Sequence, residues 1–74
     1  MSETEHSTYK KVEVVGSSRT SIEDAIQSAL AQCGKSLNLL EWFEVSEIRG
    51  HIVDGDKVGH YQVTLKVGFR IQGT

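Results

Sequence analysis

Only one cysteine, Cys33, occurs in the 74 residues, so no disulfide can form within the chain. No Cys/His spacing has the form of a zinc site either. A chain of this length makes one domain and buries only about 60% of its unfolded surface. With the two usual staples missing, association with further copies is the device that remains. Long apolar runs are also lacking, which excludes a membrane-spanning helix. No signal peptide is legible, and with a free thiol this leads us to expect a cytoplasmic protein. There is no basic excess: eight Lys and Arg stand against ten Asp and Glu, for a net charge of −2. A nucleic-acid binder would carry a basic stripe, so that class is set aside.

What is present is a short series of well-patterned segments. We expect residues 1–8 to form a flexible polar tail, including His6, and residues 9–72 to form a single domain. Tyr9 to Val15 is rich in valine and reads as a strand, with Val12 and Val14 on one face and Tyr9, Lys11 and Glu13 on the other. Gly16, Ser17 and Ser18 are expected to end it. Ile22, Ala25, Ile26, Ala29, Leu30 and Cys33 then recur at helical spacing and form one apolar stripe. Thr20 and Glu23 have capping-box spacing, Ser18 is a competing N-cap, and Gly34 is the expected stop. Cys33 lies on the apolar stripe and reads as a small buried hydrophobe, not a catalytic thiol. Leu37 and Leu40 are expected to plug the end of the core.

A strand from about Glu41 to Ile52 and another from about Gly59 to Ile71 form a hairpin. The turn chemistry lies in Val53 to Val58. In the last strand Tyr61, Val63, Leu65, Val67, Phe69 and Ile71 alternate with His60, Gln62, Thr64, Lys66, Gly68 and Arg70. The fold class is therefore α+β: a β-α-β-β chain whose three-stranded antiparallel sheet carries one helix on its apolar face. A right-handed crossover gives the strand order 1-3-2.

The lone tryptophan organises the functional reading. Phe43 and Val45 face the core, which leaves Trp42 among polar residues on the outer face. An indole in that position calls for a ligand, another subunit, or both; the plain alternative is a partly exposed ring under a loop. Ile48 has the opposite parity to Phe43 and Val45, so an extra residue near Ser46 or Glu47, a β-bulge, is required. With the hairpin centred on Gly55 and Asp56, Ile48 falls opposite Val63, Arg49 opposite Gln62, Phe43 opposite Val67 and Trp42 opposite Gly68. The glycine would leave a flat, empty neighbour for the indole, on which a planar molecule could lie. The outer face then carries an aromatic plate, a primary amide and several cations, the parts needed to hold a flat heterocycle with an imide edge and a phosphate. Gln62 and Gly68 are about 20 Å apart along the strand, at roughly 3.3 Å per residue. If Trp42 and Gln62 serve one ring, the site lies between subunits.

These segments together resemble the dodecin family of small flavin-binding proteins. The resemblance rests on Tyr9 through Ser18, the helix, Trp42-Phe43-Glu44-Val45 with Glu47-Ile48-Arg49-Gly50, and Tyr61-Gln62-Val63 through Val67-Gly68-Phe69-Arg70. It implies a homododecamer of βαββ subunits that binds FMN or riboflavin as cofactor. It implies that Trp42 stacks on the flavin, with two flavins sandwiched between two symmetry-related tryptophans, and that Gln62 bonds the pyrimidine edge. Arg49 and Arg70 match positions near the ribityl-phosphate end, and Glu47 matches a position near the site. Coenzyme A is a further ligand that the resemblance allows. The expected function is storage and sequestration of flavin, with photoprotective quenching by the stacked indole, and not catalysis. Two alternatives stay open: a ligand-free βαββ oligomer, and a flavin-dependent enzyme using Glu44, Glu47, His51 or His60. His51 and His60 are expected to face each other near the hairpin turn, as interface or solvent residues.

Overall fold

The structure is a computed structural model and describes residues 7–71. Residues 1–6 of the expected tail, His6 among them, lie outside the described residues. Four elements follow in chain order: β1 (Tyr9–Ser18), α1 (Ile22–Ser36), β2 (Leu40–Val53) and β3 (Lys57–Arg70). The strands form one antiparallel sheet in the order β1-β3-β2, with the helix on one face. This is the architecture that the alternation of residues predicts.

The core lies between α1 and the central strand. Val63, Leu65 and Val67 are fully buried beneath Ala25, Ala29 and Cys33. Val12, Val14, Ile22, Ile26, Leu30 and Leu40 pack around them. Small residues along the helix let it sit close to the sheet. One close approach is at Gly16, where a Cβ would run into the Ala25 carbonyl and the Ala29 side chain. Gly16 therefore does not end β1. The strand continues through it to Ser18, because the glycine serves helix packing and not a turn.

Both helix ends differ from expectation. The N-cap is Ser21, whose hydroxyl accepts from the Asp24 N–H at 2.9 Å. Ser18 Oγ meanwhile accepts from the Thr20 and Ser21 N–H groups and donates to Asp24 Oδ2 at 2.6 Å. Ser18 thus holds the approach to the helix, and the cap moves one residue beyond Thr20. Gly34 does not stop the helix, which runs on to Ser36 and closes with Leu37 N–H donating to Cys33 O at 2.9 Å. The chain reverses at Leu39, which takes the left-handed conformation at φ 62°. Leu39 O then accepts from Arg70 N–H at 3.1 Å.

The hairpin is much longer than the helix. Each of its strands has 14 residues, about 46 Å at ~3.3 Å per residue, whereas the 15 residues of α1 span about 22 Å. The extents of the chain, 57 × 20 × 14 Å, follow from this. The helix packs on β1 and β3 and leaves most of β2 outside its footprint. On the helix side of β2, Phe43, Val45, Ile48 and Ile52 remain 43, 38, 55 and 75% exposed. Among the described residues, no helix is long and apolar enough to cross a membrane.

Candidate functional site

The outer face of the sheet, opposite α1, is laid out by pairing register. β2 pairs with β3 through Trp42↔Gly68, Phe43↔Val67, Ile48↔Val63 and Arg49↔Gln62, with a shift between Val45 and Glu47. The parity break in the sequence is thus a real bulge at Ser46, whose hydroxyl donates to Thr64 O at 3.3 Å. The extra residue restores the alternation and turns Glu47 and Arg49 to the same side as Trp42. The hairpin turn covers residues 54–56 and is centred on Gly55, since Val53 pairs with Lys57. Gly59 is left without a partner residue, which moves the count by one before His51 meets His60.

At one end of this face the indole of Trp42 lies directly over Gly68. A Cβ on Gly68 would run into Cζ2, Cε2 and Cη2 of the ring. The place beside the indole is therefore filled by the indole itself, and the space for a planar molecule is on the ring's outer side. Tyr9 braces it from β1: the two ring centroids are 5.3 Å apart and the planes meet at 72°, an edge-to-face contact of the kind aromatic quadrupoles favour. Trp42 stays 40% exposed despite both supports. Tyr9 was not among the expected site residues. The signal for it was present, because the strand order puts β1 beside β3 and Tyr9 opposite Arg70, next to the glycine row.

Arg70 belongs to this same end. Lys11, level with Gly68, reaches diagonally across β3 to Glu44, level with Lys66, and ties β1 to β2, with Lys11 Nζ donating to Glu44 Oε1 at 3.2 Å. Both groups are about half exposed, so the pair contributes at most about 1 kcal/mol. Its effect is to fix the outer strands over the central one beside the indole.

The other end holds Gln62, flanked by Arg49 on β2 and Ser17 on β1. Glu47 Oε1 and Arg49 Nη1 are 3.9 Å apart, both exposed. The expected site residues thus fall into two groups on one face: Trp42 with Arg70, and Gln62 with Arg49 and Glu47. The six-residue spacing of Gln62 and Gly68 on β3 separates the groups by about 20 Å at ~3.3 Å per residue. One chain does not bring them together.

Comparison with known proteins agrees with this fold. The sequence model of the dodecin family matches residues 8–72. A dodecin of Thermus thermophilus is 56% identical over 66 residues, covering 89% of this chain and 94% of that protein. A crystal structure of a Thermus thermophilus protein superposes with a TM-score of 0.86 at 54% identity, covering 92% of this chain and 98% of the other. The dodecin of Streptomyces coelicolor gives a TM-score of 0.85 at 43% identity, over 92% and 96% of the two chains. With its β-α-β-β order, its bulged hairpin and a match running nearly end to end, the chain belongs to the dodecin family.

Proposed function

We propose that the chain is a flavin-binding and flavin-storing protein, a homo-oligomer of cytoplasmic location that takes up FMN or riboflavin between subunits. The observation that carries this reading is the posture of Trp42. A large apolar ring is held flat on a glycine, braced at one side by Tyr9, and left open on its outer side. Such a plate is suited to stacking on a planar heterocycle, worth about 1–3 kcal/mol per base-like ring. In this reading Gln62 of a neighbouring copy pairs with the donor-acceptor edge of the ring. Arg49 and Arg70 hold the ribityl-phosphate end, and Glu47 sets the position of Arg49. The single domain spans residues 9–72.

The separation of the two residue groups supports a shared site, since neither group is complete by itself. The uncovered apolar side of β2 supports association from an independent direction. Twelve copies is the number that family membership implies. A flavin stacked against the indole is positioned for electron transfer from the ring when excited, which returns it to the ground state without reaction. A stack closed by a second copy leaves little room for a substrate, which favours storage over turnover. Coenzyme A is a further candidate ligand through its own planar base and phosphates.

The test is titration of apo-protein with FMN, followed by flavin fluorescence. Quenching to a definite stoichiometry is expected, with loss of both affinity and quenching in Trp42→Ala. Unchanged flavin emission, or quenching that survives Trp42→Ala, overturns the reading.

A further inference from the structure

His51 and His60 have no part in the flavin reading, yet the fold sets them against each other. They are paired across β2 and β3, with ring centroids 4.2 Å apart and planes inclined by 39°. The juxtaposition depends on one residue. A hairpin centred on Gly55 and continued without interruption would set His51 against Gly59 and turn His60 to the helix side. The unpaired Gly59 shifts the register so that both imidazoles emerge on the outer face.

We propose that His51 and His60 together chelate a borderline-soft divalent metal ion of the Zn²⁺, Ni²⁺ and Cu²⁺ class. Imidazole nitrogen is a ligand that these ions favour over the oxygen-seeking Mg²⁺ and Ca²⁺. Zinc–nitrogen bonds are about 2.0–2.1 Å, so one ion bridges two ring nitrogens about 3 Å apart. Ring centroids 4.2 Å apart bring the two imidazoles close enough for one ion to reach a nitrogen of each. The two strands fix the backbone positions of both ligands in advance, which lowers the ordering cost of chelation.

The surroundings allow an ion to enter. β1 ends with Ser18 opposite Tyr61 and does not cover the pair, and α1 is on the other face. His51 is exposed and His60 half-buried. The charged neighbours on this face are Arg49, one row away beside Gln62, and Lys57, one row away on the turn side opposite Val53. The Glu47 carboxylate lies 3.9 Å from the Arg49 guanidinium and Asp56 Oδ1 lies 3.8 Å from Lys57 Nζ, which moderates the repulsion of a cation. Among the described residues no group of three or more His, Cys, Asp or Glu is placed to hold an ion. The chain therefore supplies two ligands and water supplies the rest, so that binding needs both imidazoles together.

The experiment is calorimetric titration of the untagged, full-length, flavin-free protein with zinc chloride, beside His51→Gln, His60→Gln and His6→Gln. One Zn²⁺ per chain is expected for the wild type. Either His51→Gln or His60→Gln should weaken binding about tenfold or more, His6→Gln should leave it unchanged, and magnesium chloride should not compete. The imidazole resonances of His51 and His60 should shift together on zinc addition. Binding that survives either of the first two substitutions, binding lost in His6→Gln, or no zinc uptake by the wild type overturns the proposal. Flavin uptake does not enter these outcomes.

Discussion

Gly68 lies under the indole of Trp42 with no room between them for a methyl group. Gly68→Ala should therefore lift the ring from the sheet. Overpacking of this kind costs about 1–3 kcal/mol. The expected outcome is a lower denaturation midpoint, a red-shifted tryptophan emission and weakened FMN binding. Unchanged emission in a folded variant would show that the ring does not rest on this position.

Gln62 is assigned to the edge of the flavin, at a distance from the indole of its own chain. Gln62→Ala removes hydrogen bonds worth about 1 kcal/mol each. FMN affinity should fall about tenfold, while the flavin that does bind remains quenched by Trp42. A titration that matches wild type would remove Gln62 from the site.

Val45 and Ile48 face the helix side of the sheet but lie beyond the helix, 38 and 55% exposed. If a second copy covers them, a buried carboxylate there is costly. Val45→Asp should shift the sedimenting species toward a single chain and abolish flavin uptake with it. A variant that sediments like wild type would place the interface elsewhere.

Ser18 is buried, and its hydroxyl serves Thr20, Ser21 and Asp24 at once. Ser18→Ala leaves two N–H groups and a carboxylate without that partner. A loss of about 1–2 kcal/mol is expected, read as a lower thermal midpoint in circular dichroism. Flavin stoichiometry at low temperature should not change, because the hydroxyl lies on the helix side.

Most of this arrangement was legible because one face of every strand is committed to the core. A slip by one residue would expose Val63, Leu65 and Val67 together, so the alternation in β3 fixes the register and its bulge. Counting from a turn centred on Gly55 and Asp56 reaches Trp42 opposite Gly68 and Arg49 opposite Gln62 although the turn is centred on Gly55, because the unpaired Gly59 makes up the one-residue difference. Glycine was the unreliable sign. Gly16 and Gly34 carry the same turn signal in sequence, yet one admits the helix to the sheet and the other sits within the helix. Nothing local separates these uses, because the deciding neighbour of Gly16, the Ala25 carbonyl, belongs to another element. The lean of the indole onto Gly68, with Tyr9 at its side, was hidden for a similar reason. Parity gives the side of the sheet a ring leaves from, and the contacts it then makes decide how it lies.

The strand order also sets a sequence of events during synthesis. β1 is made first but bonds only to β3, and its first residue, Tyr9, is matched with Arg70 near the other end of the chain. The β2–β3 hairpin closes through near neighbours, while β1 must wait until β3 has left the ribosome. Until then its valines have no strand beside them, and the emerging helix is the one apolar surface at hand.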